Sequence, residues 1–220
     1  HISYSEGGIL TTNNKSLALK MRKFGGLGFT NITANSGKVR IDKNKFQNPN
    51  WKRHNEFGFN YRMSELCAAV ALAQTEKLEH FVKKRKESGK EFFKLLNKKN
   101  NTLLIPQKLP KNYIHSYYTF AALFNGKKRG ITWSNFRKKF LSFGGDGIYS
   151  AWQTVNNEPC FYNARTKGLY SGSMKISDSY GWGETPVAVK LQKNIMQFTT
   201  NQKNKIEIKK QIIALKKTID

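Results

Sequence analysis

Residues 63–96 constrain the chain more than any other stretch, because they spell one long helix whose two halves make different demands. Ser64 stands at the N-cap position and Glu65 in the first turn, where an acceptor side chain and a negative charge suit the free N–H groups and the helix dipole. The run that follows, Leu66 to Ala73, is small or apolar throughout. A helix apolar on every side must be covered on most of them, inside a domain or by another subunit. In the second half Leu78, Phe81, Val82, Phe92, Leu95 and Leu96 recur at helical spacing with lysines on the other face, the pattern of a single stripe laid on a core. The element expected here passes from a buried seam to a surface.

Ahead of it, Glu6 to Thr12 reads as a strand leaving a glycine turn, and Lys15 to Phe24 as a short amphipathic helix stopped by Gly25-Gly26. Residues 27–57 are polar and irregular, and connections of that length tend to carry function or to move. Beyond Asn100 short alternating units predict a small α+β domain. Its expected strands are Tyr117–Phe124, Ile148–Trp152 and Ile195–Thr199. A helix capped by Ser134 carries Phe136, Phe140 and Leu141 on one face and stops at Gly144-Gly145. A C-terminal helix lays Ile208, Ile212, Leu215 and Ile219 on the sheet.

Composition narrows the function classes. With 220 residues and 38% hydrophobic content the chain can bury a sizeable core. Its net charge of +25 points first to nucleic acid or an acidic surface. However, 31 of the 39 basic residues are lysine and only 8 are arginine, spread along the chain without the interleaved aromatics of a single-strand binder. Solvated faces account for most of that charge. Cys67 and Cys160 lack a CxxC spacing, which argues against a disulfide framework or a zinc site and predicts two small buried apolar residues. No apolar run is long enough for a spanning helix and no signal-like N-terminus is present, so the expected compartment is the cytoplasm, although the chain opens on His1.

Two strings carry a resemblance. HISYSEGGILTTN at residues 1–13 resembles the segment that follows the Schiff-base lysine of the DegT/DnrJ/StrS sugar aminotransferases. GFNYRMSELCAAVALAQTEKLEHFVKKR at residues 58–85 is similar to the stretch that opens their long helix. Weaker likenesses are HSYYTF around His115, GGDGIYSAW at 144–152 and TPVAVKLQKNIMQF at 185–198. Neither EGG nor NYRM alone would distinguish an enzyme from an ordinary turn; their order and separation do.

The resemblance implies the C-terminal part of a fold type I enzyme. Residues 1–60 would be a remnant of the pyridoxal-phosphate-binding large domain with a long polar loop, 61–98 a helix at the domain and dimer interface, and 99–220 a small α+β domain. The implied chemistry is transfer of an amino group, with glutamate as donor, to a nucleotide-linked keto-sugar in amino-sugar and cell-surface polysaccharide biosynthesis. The catalytic lysine would immediately precede His1, so no catalytic residue is expected in this chain and the chain alone is expected to be inactive. Asn60 and Arg62 match the position that contacts the cofactor phosphate of a neighbouring subunit in a homodimer, unless Arg62 pairs with Glu65 or Glu56 instead. Tyr149 and Trp152 fall where the small domain faces substrate, though aromatics in a strand are more often core. His115 is expected in the core. Arg53, with Trp51 and Lys52, is placed to meet a nucleotide diphosphate.

Departures from the family pattern are Ser5 in place of glycine, Thr185 and Val189 in place of cysteine and glutamate, and the length of the 26–57 loop. Three competing readings remain open: a sugar dehydratase of the same fold, with histidine in place of the missing lysine; a basic nucleic-acid-binding module; and a non-catalytic interaction fragment.

Overall fold

The computed structural model describes the chain except residues 5, 38–41, 98–100, 162 and 164–184. It forms two compact units, Ile2–Leu78 and Glu79–Asp220, His1 grouping with the second.

In the first unit, α1 (Lys15–Gly25) starts where Asn14 accepts a bond from the Leu17 N–H and ends at Gly26, whose N–H returns to the Lys23 carbonyl. The expected strand at Glu6 to Thr12 does not form. Backbone there is irregular, with Ile9 and Leu10 exposed, because no strand among the described residues lies alongside to take its N–H and C=O groups. The long polar stretch is organised by lacing. Bridges pair Gly26 with Asn60 and Phe29 with His54, and the Leu27 N–H donates to the Phe59 carbonyl at 3.1 Å. A one-turn helix, α2 (Lys43–Phe46), is capped by Asp42. Two left-handed residues, Leu27 and Gly28, make the tight reversal this lacing needs. Beneath it the Lys23 ammonium is buried and reaches Glu56 Oε1 at 2.9 Å, the single ion pair among the described residues.

The expected long helix is two. α3 (Glu65–Thr75) is capped by Ser64, as its sequence predicts, and α4 (Leu78–Leu96) begins after a turn at Glu76-Lys77. The Thr75 hydroxyl donates back to the Ala71 carbonyl at 2.7 Å, the side-chain bond that bends helices when it competes with the ladder. Within the chain α3 buries only Ala71, leaving Leu66, Val70 and Leu72 exposed.

The second unit is a four-stranded antiparallel sheet of β1 (Leu104–Pro106), β2 (Thr119–Phe124), β3 (Ile148–Ser150) and β4 (Ile195–Thr199), in the order β1-β2-β4-β3. Strand alternation sends Phe120, Ala122, Phe124, Met196, Phe198 and Ile148 to one face. There they meet Phe92 and Leu96 of α4, Phe136 and Phe140 of α5 (Trp133–Ser142), and Ala214 and Leu215 of α7 (Lys205–Ile219). Burying each large side chain of this cluster contributes about 1.5–3 kcal/mol. α5 is capped by Thr132, not Ser134, because the Thr132 hydroxyl takes the Asn135 N–H while Ser134 already lies in the first turn. β1 carries no alternation long enough to read from sequence and exists through its ladder to β2. A short helix, α6 (Pro186–Gln192), precedes β4 with proline in its first turn. The cysteines depart from expectation: Cys67 is half-buried and Cys160 exposed.

The other face of the sheet carries Thr119, Ala121, Gln197, Thr199 and Tyr149, none of which belongs to the core cluster.

Candidate functional site

In the first unit the lacing delivers Asn60 and Arg62 to the residues just ahead of the α3 N-cap. Asn60 Oδ1 accepts from Arg62 Nε at 3.0 Å and from the Arg62 N–H at 3.4 Å. This bond orients the guanidinium and leaves its two Nη groups without a protein partner among the described residues. Among the described residues the alternative pairings do not form: Glu56 is taken by Lys23, and Glu65 makes no ion pair. An exposed, oriented guanidinium near a helix N-terminus with no carboxylate on it is chemically suited to a phosphate monoester. The turn therefore fits the phosphate end of a cofactor such as pyridoxal phosphate.

In the second unit a groove of about 490 Å³ opens on the face of the sheet away from the core cluster. Register sets its floor: Tyr149 of β3 pairs with Gln197 of β4, which pairs with Ala121 of β2. Gln197 spans three strands, meeting the Thr119 hydroxyl at 3.2 Å and donating to the Ser150 carbonyl at 3.1 Å. Tyr149 and Trp152, which the resemblance places toward substrate, do not take the core position that strand aromatics more often do: they are 58% and 89% exposed. Tyr149 is exposed because its place in the alternation opposes Ile148, which takes the core position. Trp152 lies beyond the end of β3, where Gln192 of α6 holds the neighbouring Ala151 carbonyl at 2.9 Å. Arg53 is the third residue that the sequence places near substrate. It belongs to the first unit, its carbonyl accepting from the Thr30 N–H at 2.8 Å and its guanidinium lying over the Phe46 ring, 5.1 Å from the centroid.

Several lining groups escaped the sequence. Arg85 of α4 sends Nη1 to the Tyr118 carbonyl at 2.9 Å and to Thr200 Oγ1 at 3.1 Å, while its guanidinium sits over the Tyr118 ring at 5.4 Å. Thr200 Oγ1 in turn donates to the Tyr117 carbonyl at 2.6 Å. Tyr117 adopts a left-handed backbone with φ of 51°, and its ring fits over Gly89, where no side chain intervenes. No local signal singled out Arg85, since Arg22, Arg53, Arg129 and Arg137 adjoin lysines as well. His115 is half-buried: Nδ1 accepts the Tyr117 N–H at 2.7 Å, so Nε2 carries the proton toward Gln107 Oε1 at 3.4 Å. At the other side of Tyr118 the His1 ring packs edge-on, with centroids 5.9 Å apart.

Ser5 lies outside the described residues. Thr185 precedes α6, and Val189 lies on it.

A GDP-perosamine synthase from Escherichia coli O157:H7 is 26% identical over 185 residues, 82% of this chain and 41% of that protein. The chain thus spans about two-fifths of the length of that curated relative. By structure, the chain is similar to Helicobacter pylori PseC, an aminotransferase involved in the biosynthesis of pseudoaminic acid, with a TM-score of 0.66 at 15% identity, covering 94% of this chain and 47% of that one. It is also similar to GDP-4-keto-6-deoxymannose-3-dehydratase (ColD) with bound GDP-perosamine, with a TM-score of 0.61 at 18% identity, covering 95% and 49%. Residues 1–168 match the profile of the DegT/DnrJ/EryC1/StrS aminotransferase family, and the chain belongs to that family.

Proposed function

We propose that this chain is part of a pyridoxal-phosphate-dependent enzyme that moves an amino group from glutamate to the keto carbon of a nucleotide-linked sugar, in amino-sugar and cell-surface polysaccharide synthesis. Family membership and the activities named for its relatives support the reaction class. The contact of His1 with Tyr118 carries the assignment of the groove: the position where the family's Schiff-base lysine is expected adjoins His1, and His1 touches the rim that bears Arg85. Pyridoxal phosphate, when bound, supplies an electron sink that lets nitrogen leave one carbon and join another.

This chain's own residues bind and orient. Arg62, held by Asn60, presents its free Nη donors to the cofactor phosphate, and in a homodimer that phosphate is the neighbouring subunit's. The exposed Leu66, Val70 and Leu72 of α3 are the apolar surface such a dimer seam requires. Tyr149 and Trp152 offer flat faces for a sugar or base and shed water around it, and Gln197 offers a fixed amide.

One observation favours a second reading. The likeness to the 3-dehydratase means that the same fold also serves removal of a sugar hydroxyl, a reaction for which the residue ahead of His1 would be histidine.

The test is expression behind the residues the family carries ahead of His1, followed by incubation with pyridoxal phosphate, L-glutamate and GDP- or UDP-linked 4-keto-6-deoxysugars. Mass spectrometry should find an amino-sugar nucleotide. Arg62→Ala should weaken cofactor retention about 10-fold or more, the loss of one charged hydrogen-bonding partner. Loss of a sugar hydroxyl without gain of nitrogen would establish the dehydratase reading, and a folded, cofactor-loaded protein that acts on no nucleotide keto-sugar would overturn both.

A further inference from the structure

We infer that Arg85 forms an oxyanion subsite within the groove, an inference that rests on the groove being the substrate site. Arg85 is half-buried, and among the described residues no carboxylate pairs with it. Only Nη1 is committed, to the Tyr118 carbonyl and the Thr200 hydroxyl. Both of these acceptors are neutral, so they fix where the fork points without discharging it.

Every part of this arrangement is itself held. Thr200 is buried, and its hydroxyl hydrogen is spent on the Tyr117 carbonyl, so its lone pair is turned to Arg85. The Tyr117 carbonyl is aimed there by the left-handed backbone at that residue. Tyr118 supplies a ring beneath the guanidinium and a carbonyl beside it. A carboxylate does stand in the adjoining network, at Asp146. Its Oδ2 accepts from Thr199 Oγ1 at 3.3 Å and from Gln202 Nε2 at 3.1 Å, and among the described residues it makes no ion pair. Gln202 is held in place by the buried Ser88 hydroxyl. The counter-charge is thus occupied with ordering the sheet edge, and the fork is left facing the groove.

A cation drawn partly out of water and given no counter-ion is costly unless something anionic completes it. Its remaining coplanar N–H donors match the two oxygens of a carboxylate or a phosphoryl group, a match that lysine cannot make. On an aminotransferase two substrates bring such a group: the α-carboxylate of the amino donor and the diphosphate of the sugar nucleotide. The chemistry they share is a planar pair of anionic oxygens, and Arg85 is a binding residue for one of them.

The experiment titrates the purified 220-residue chain with L-glutamate, GDP and inorganic pyrophosphate, following the Arg Nε–H resonances and the Trp152 indole by NMR. Saturable shifts of both, with glutamate alone or with the two phosphate compounds, are expected and say which source is right. Arg85→Lys should weaken that binding about 10-fold or more while keeping one donor for Tyr118 and Thr200. Asn201→Ala, on the groove wall and outside the Arg85 network, should weaken it by a smaller factor and guards against a fold effect at Arg85. No saturable shift with any of the three probes, or equal affinity in the wild type and Arg85→Lys, would overturn the subsite. An intact subsite in a protein that forms no amino-sugar would instead sink the transamination reading and leave Arg85 as an anion site of other purpose.

Discussion

Replacing Gly89 by alanine isolates the packing that places the Tyr117 carbonyl. In a helix interior glycine costs about 0.5–1 kcal/mol relative to alanine, so helix propensity alone makes Gly89→Ala stabilising. The structure reverses that sign. Gly89 is fully enclosed in α4, and a methyl group built on it falls on the Tyr117 ring, within 2.6 Å of Cδ1 and closer still to Cγ. These are ring atoms next to the backbone, so the ring cannot turn aside without moving its own Cα. Overpacking of this kind costs about 1–3 kcal/mol. A displaced ring also forfeits its stack on His115, whose centroid lies 4.2 Å away, a contact worth about 0.5–1.5 kcal/mol. The net expectation is a loss of about 2 kcal/mol from these opposed contributions. Urea unfolding followed by far-ultraviolet circular dichroism measures it as a lower midpoint at unchanged slope. In a Tyr117→Ala background the same change should become neutral or stabilising, because the clash is gone and the propensity remains. If Gly89→Ala raises the midpoint with Tyr117 present, the close approach is not a constraint on the fold and the account of the Arg85 rim fails with it.

Two further substitutions test other parts of the fold. Gly28→Ala places a methyl group inside the van der Waals radius of the Glu56 carbonyl oxygen at a left-handed position, so amide exchange at Leu27 and Asn55 should accelerate sharply while exchange in the β2–β4 ladder stays unchanged; unaltered protection would refute the lacing described for residues 26–60. Asn204→Ala removes the side chain that caps α7 by accepting the Glu207 N–H at 3.0 Å, and should lower stability by about 1 kcal/mol in thermal unfolding, with no change in melting counting against the cap.

Sequence reading located most elements where local chemistry sets their ends. α1 stops at its glycines, α3 starts at Ser64, and β4 occupies Ile195–Thr199, because caps and strict alternation are written in adjacent residues. It failed where the deciding partner is distant. The Glu6 to Thr12 run has strand composition but no ladder to join among the described residues, and composition cannot report a missing neighbour. The break at Glu76-Lys77 carries no proline or glycine; a threonine hydroxyl turned back on its own helix leaves no mark on hydrophobic periodicity. Tyr149 was assigned to its strand, but which face it takes depends on Ile148 being the residue that meets Phe198 across the ladder. The candidate site divides in the same way. Asn60 and Arg62 were readable from a local string, whereas Arg85, Thr200 and Tyr118 lie up to 115 positions apart and meet only through tertiary structure.

Among the described residues, the core cluster of the small sheet gathers α4, α5 and α7 on one face. Its interior is therefore complete without the residues that face the groove, and strand alternation assigns the two sets to separate positions on the same strands. Changes at Thr119, Tyr149 or Gln197 can alter what is recognised without repacking Phe120, Ile148 or Phe198. If the groove is the substrate site proposed above, the groups that choose the substrate can change there while stability stays nearly constant.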